Sequence, residues 1–127
     1  MGELQCGDVT DRVMPAAIEV HRNLGPGLLE SAYRSCLRRQ FELAGLSVET
    51  EVPVPVEYKG CSIVTGYRAD MIVEHAVLLE LKAVEKLLPI HVAQTLTYLR
   101  LARLRVALLL NFNVASLRLG GVRRLIF

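Results

Sequence analysis

Apolar and polar positions along the chain alternate with two periods, one helical and one of strands. Over residues 10–24 the apolar side chains Val13, Ala16, Ala17, Val20 and Leu24 recur at helical spacing, with Thr10 as a candidate N-cap. Pro15 falls inside that window, so the helix starts either near Thr10 or at Pro15 itself. Gly25-Pro26-Gly27 ends it. A second helix is expected over residues 28–44, burying Leu29, Ala32, Tyr33, Cys36, Leu37 and Ala44 and closed by Gly45. Residues 46–58 switch to period two, but Pro53 and Pro55 confine that stretch to a sheet edge or a partly unpaired ribbon. Lys59-Gly60 makes a turn, and residues 61–66 lead into the segment that follows.

That segment, G-Y-R-A-D-M-I-V-E-H-A-V-L-L-E-L-K-A-V over residues 66–84, reads as a β-hairpin. With the three residues Glu74, His75 and Ala76 as its loop, Val73 pairs with Val77 and Asp70 falls opposite Glu80. This register leaves Met71, Val73, Val77, Leu79 and Leu81 on one apolar face. A two-residue loop would place the two acids on opposite faces. Pro89 then opens a helix over residues 90–103 that buries Val92, Leu96, Leu99 and either Ala102 or the stem of Arg103, with His91, Gln94 and Tyr98 as a second stripe. The apolar run at 104–112 is a buried strand, 113–121 a loop, and 123–127 a last short strand. The order predicts a mixed sheet with helices packed against it, the third helix crossing between two parallel strands.

In the hairpin register chosen, Asp70, Glu80 and Lys82 share a face. Two carboxylates brought within a few ångströms repel, and a divalent cation relieves that repulsion. Mg²⁺ favours one or two carboxylates with water and phosphate oxygens, a set that Asp70 and Glu80 offer. Lys82 is placed to orient or deprotonate water, or to neutralise charge on a phosphate. The alternative is an Asp70 that ends a loop beside an exposed Glu80–Lys82 salt-bridge face. Glu30 is similarly open: a first-turn glutamate favourable to the helix dipole, or a third acid aimed at the hairpin.

Composition narrows the class. A chain of 127 residues, 52% hydrophobic and 22% charged, forms one folded domain, with residues 1–9 as a possible flexible tail. No apolar run approaches the length of a membrane span and no signal peptide is evident, so the chain reads as cytoplasmic. Cys6, Cys36 and Cys61 lack metal-ligand spacing and suit free thiols in a reducing compartment. The net charge is only +2, but the basic residues are predominantly arginine, whose fork matches phosphate. No aromatic motif announces a stacking platform for bases.

Several motifs occur in order: E-V-H-R-N-L-G-P-G at 19–27, G-L-L-E-S-A-Y at 27–33, Y-R-A-D at 67–70, E-L-K-A-V at 80–84 and L-L-N-F-N at 109–113. Together they resemble the GxxExxY protein family, assigned to the PD-(D/E)XK nuclease superfamily. The resemblance implies a restriction-endonuclease-like α/β core, a mixed sheet flanked by helices. It implies that Asp70, Glu80 and Lys82 stand for the D…E-x-K signature, with Ala69 where the superfamily name has proline. It further implies Glu30 as a helix-borne catalytic acid, and Asp70, Glu80, the Leu81 carbonyl and Glu30 around Mg²⁺, with Mn²⁺ as a substitute. Gln94 and Tyr98 resemble a Q-x-x-x-Y motif that lies beside the nucleic acid, and Tyr33 and Arg68, within the matching motifs, are candidate substrate contacts. The implied activity is metal-dependent phosphodiester hydrolysis, on DNA by analogy; the alternative is a non-catalytic nucleic-acid-binding module. Homodimerisation through the 106–112 strand or the C-terminal strand would enlarge a small binding surface.

Overall fold

The structure, a computed structural model, describes residues 6–127. Its core is a five-stranded mixed sheet in the order β1-β4-β5-β6-β7, formed by β1 (Val48–Pro53), β4 (Arg68–Val73), β5 (Val77–Lys82), β6 (Val106–Asn111) and β7 (Val122–Ile126). Only β5 and β6 run parallel; the other neighbours are antiparallel. A separate hairpin pairs β2 (Val56–Tyr58) with β3 (Cys61–Ile63).

The 71–81 hairpin adopts the expected register, with Met71 opposite Leu79 and Val73 opposite Val77. Glu74 and His75 take positive φ, 53° and 52°, and the Ala76 N–H bonds the Val73 carbonyl at 3.0 Å. That double left-handed turn follows the right-handed twist of the strands it joins. Turn length therefore sets which face each acid occupies. Met71, Val73, Val77, Leu79 and Leu81 all enter one core cluster, shared with Val13, Ala17, Tyr33, Leu37 and Phe41 of the first two helices. The opposite face packs Leu78 and Ala107 against Tyr98 and Leu99 of the third helix. Glu80 and Lys82, alternating with Leu79 and Leu81, project on this second face.

Helix α1 (Cys6–Leu24) is continuous through Pro15, which lies exposed within it, where the missing N–H costs no buried partner. The helix thus starts ahead of both expected points, because Val9 is fully buried and extends the apolar stripe backwards. Residues 6–9 of the supposed tail are helical; residues 1–5 lie outside the described residues. Helix α2 (Glu30–Leu43) buries Tyr33, Leu37 and Phe41, a strict i, i+4, i+8 stripe. Leu29, Cys36 and Ala44, expected inside, fall off that stripe and are exposed.

Helix α3 (Pro89–Leu101) starts at its proline, and the Leu88 N–H donates to His91 Nδ1 at 2.9 Å, which makes His91 a capping residue. A short helix α4 (Leu117–Gly120) interrupts the expected 113–121 loop. The stretch expected as one ribbon over 46–58 divides at Val54-Pro55 into the edge strand β1 and the flap strand β2. Strand β6 lies between β5 and β7, with all six of its residues buried. It cannot supply a free edge for a second copy; β7 can.

Candidate active site

Asp70 and Glu80 meet across the hairpin just beyond the last ladder pair. The Asp70 N–H donates to Glu80 Oε1 at 3.0 Å, and the Leu81 N–H donates to Asp70 Oδ2 at 2.8 Å. Each carboxylate is thus fixed by the backbone of the strand bearing, or adjoining, the other. Glu80 is 4% exposed. Burial, followed by the neighbouring Asp70 charge, pushes its pKa from the ordinary 4.5 up to about 8; the Asp70 N–H and Lys82 pull less strongly the other way. An exposed salt-bridge face is therefore not what the hairpin builds. Lys82 is half-buried, and among the described residues no hydrogen bond or ion pair engages its ammonium.

An arginine completes the pair. Arg34 of α2 reaches Asp70 Oδ1 at 3.2 Å through one nitrogen and Glu51 Oε1 at 3.3 Å through the other. Glu51 lies on β1 opposite Asp70, at a position of positive φ, 51°, that kinks the edge strand. Sequence reasoning passed over both. The available signal was local: Arg34 stands four residues after Glu30, one turn along the same helix face.

Glu30 is half-buried at the start of α2 and lines a depression of about 460 Å³ with Arg34 and Ala83. It makes no bond to Asp70 or Glu80, and among the described residues no three acidic, histidine or cysteine side chains gather around one point. Tyr33 stands elsewhere altogether. It is fully buried and stacks on Phe112 with ring centres 4.5 Å apart. Its hydroxyl donates to the Gly25 carbonyl at 2.6 Å and accepts from the Leu28 N–H at 3.2 Å. The expected substrate contact at Tyr33 is corrected accordingly: the residue braces the Gly25-Pro26-Gly27 turn and has no free face. Arg68 is exposed and donates to the Glu51 carbonyl at 3.3 Å, on the rim beyond Asp70.

On α3, Gln94 donates through Nε2 to the Tyr98 hydroxyl at 3.1 Å. Burial and then the Glu80 charge raise the Tyr98 pKa, which puts this phenol within electrostatic reach of the acid pair. Asn111 closes the far side. Its Oδ1 accepts from the Val84 and Asn113 N–H groups at 3.1 and 3.2 Å, and its Nδ2 donates to the Val84 carbonyl at 2.9 Å. The chain leaving Lys82 is thereby pinned to the end of β6. His21 Nε2, between the carbonyls of Phe112 (3.1 Å) and Val114 (2.9 Å), ties α1 to the same strand end.

A family model described as the PD-(D/E)XK nuclease superfamily matches residues 7–125. The chain belongs to this superfamily. Comparison with curated proteins and with solved structures gives no match. For a PD-(D/E)XK protein the five-stranded mixed sheet between helical layers is the fitting architecture, and the hairpin that carries D…E-x-K here is its second and third strand in sheet order. Superfamily members are generally nucleases that use divalent metals, and the donor set fits such an ion. Two carboxylates converge, and burial followed by the Asp70 charge raises the pKa of one of them, Glu80. In extended backbone the N–H and C=O of one residue point to the same side, so the Leu81 carbonyl faces Asp70 as its N–H does.

Proposed function

We propose that the protein is a Mg²⁺-dependent nuclease acting on DNA, with Mn²⁺ able to substitute. The observation that supports this reading best is the convergence of Asp70 and Glu80, with the unengaged Lys82 ammonium two residues along β5. Asp70, Glu80 and the Leu81 carbonyl would hold the ion, with Glu30 reaching it through water. The bound ion supplies charge stabilisation for the phosphate and a lowered water pKa.

Lys82 orients the attacking water and neutralises charge that develops on the phosphate. The Leu81 N–H holds the Asp70 carboxylate and the Asp70 N–H holds that of Glu80, so the chain spends no reorganisation on aligning them. Gln94 and Tyr98 flank the strand to be cut, and Arg68 and Arg34 offer guanidinium groups to its phosphates. The G-x-x-E-x-x-Y segment, with Tyr33 bracing the turn and Glu30 facing the depression beside Ala83, supports the narrower placement in the GxxExxY family. Homodimerisation through the β7 edge, where Ile126 and Phe127 are exposed, would widen the grip on a duplex. Exposed thiols at Cys36 and Cys61 suit a reducing, cytoplasmic setting.

The test is cleavage of labelled single- and double-stranded DNA and RNA by wild type, Asp70→Asn and Lys82→Ala, with and without Mg²⁺ or Mn²⁺. Wild type should cleave only with metal, and each variant should lose about 10²–10³-fold or more while keeping its circular dichroism spectrum. Steeply salt-dependent binding without any metal-dependent turnover would replace this reading with that of a non-catalytic binding module.

A further inference from the structure

A groove of about 310 Å³ runs along α3. Gln94, Thr97, Tyr98 and Leu101 form its floor, and Tyr67 and Val56, the latter from the β2–β3 flap, stand over it. No charged side chain lines it. A groove that held a phosphate backbone would present arginine or lysine. This one presents instead two tyrosine rings, centres 6.1 Å apart and inclined at 43°, and an amide. Tyr67 is 52% exposed although it packs against Tyr98, so part of its ring remains open to a partner. Gln94 spends one N–H on Tyr98, and among the described residues its carbonyl oxygen makes no hydrogen bond. An open aromatic face and an amide edge are what an unpaired base is recognised by. A base inside a duplex has its faces covered and could not reach either.

The groove also borders the strands that carry the acid pair. Tyr98, whose ring faces Tyr67, packs in one cluster with Ala69, next to Asp70 on β4, and Leu78, two residues before Glu80 on β5. Tyr67 lies three residues before Asp70 on the same run of chain, and its carbonyl accepts from the Val54 N–H at 2.8 Å, which fixes the backbone beneath the ring. A base seated here would be a neighbour of the phosphate at Asp70 and Glu80.

We infer that this groove takes an unpaired nucleobase next to the cleaved phosphate, with Tyr67 stacking on the base and Gln94 bonding its edge. The protein then acts on single-stranded or locally unpaired DNA. This rests on the nuclease reading for its phosphate, but base binding is measurable without cleavage.

The experiment uses a single-stranded oligonucleotide carrying 2-aminopurine, and the same strand in a duplex, titrated with metal-free protein in chelator. The readouts are 2-aminopurine fluorescence, which reports stacking, and anisotropy, which reports affinity. Wild type should quench the single strand and bind it more tightly than the duplex. Tyr67→Ala should abolish the quench and weaken single-strand binding about 5- to 150-fold, leaving duplex binding unchanged. Tyr67→Phe should retain both, and thermal melts of the two variants establish that each is folded. Equal affinity for single strand and duplex, or a folded Tyr67→Ala that still quenches, overturns the inference. The Tyr67 pattern without metal-dependent cleavage upholds the groove and defeats the nuclease reading. Cleavage that Tyr67→Ala leaves unaltered, together with an unaltered quench, does the reverse.

Discussion

Replacing Glu80 with glutamine should remove most of the pH dependence of stability that the acid pair confers. The folded carboxyl has its pKa at about 8 against an ordinary 4.5. Below pH 4.5 it is protonated in both folded and unfolded chains, and nothing is lost. Between 4.5 and 8 the unfolded chain ionises while the folded one keeps its proton, so stability falls as pH rises. At about 1.4 kcal/mol per pH unit over that interval, the full penalty is about 5 kcal/mol above pH 8. Glutamine cannot ionise, yet its carbonyl still accepts the Asp70 N–H. The assay is urea denaturation of chelator-treated wild type and Glu80→Gln at half-unit steps from pH 4.5 to 9. The two stabilities should lie close together at pH 4.5 and separate steadily, the variant ahead by several kcal/mol at pH 9. For a domain of this size each kcal/mol also moves Tm by about 3–5 °C. Two curves that stay parallel within about 0.5 kcal/mol would refute the reasoning, and with it the claim that Glu80 is folded as a neutral acid.

Tyr33→Phe should cost about 1–2 kcal/mol in denaturant unfolding, because the Leu28 N–H and Gly25 carbonyl lose their partner, while nucleic-acid affinity is unchanged; weakened binding would return Tyr33 to the substrate surface. Asn111→Ala strips three backbone groups of Val84 and Asn113 of their partners and should cost about 2–4 kcal/mol in the same assay, and a loss under 1 kcal/mol would mean that the segment after Lys82 is held by other contacts.

Much of the site was legible because it is local. Asp70 and Glu80 are joined by one hairpin, and the apolar pattern on either side of Glu74-His75 admits a single register that buries all five of Met71, Val73, Val77, Leu79 and Leu81. Gln94 and Tyr98 are one helical turn apart and needed only the helix to become neighbours. What the sequence hid depends on packing between distant segments. Arg34 meets Asp70 only because α2 lies against the sheet, and Tyr67 meets Tyr98 thirty-one residues further along the chain. Helix period also blurs at flanks: Cys36 and Leu29 are apolar and near the stripe, but Tyr33, Leu37 and Phe41 already fill the contact with the sheet. The raised pKa of Glu80 follows from its burial in the folded protein and from the Asp70 charge, which no local pattern reports.

The Arg34 bridge bears on how this chain matures. Metalloproteins whose clustered acids have no internal counter-charge tend to fold only as the ion arrives, so that a chelator unfolds them. Here the guanidinium of α2 already sits between Asp70 and Glu51, a resident cation made of protein. On the nuclease reading, folding of the Asp70 side of the site would then not wait on the ion. An ion held by Asp70 would, on the same reading, share that carboxylate with the guanidinium, which would favour exchangeable occupancy over permanent capture. If the protein is a nuclease, activity would then follow the supply of metal and substrate, while the fold would depend on neither.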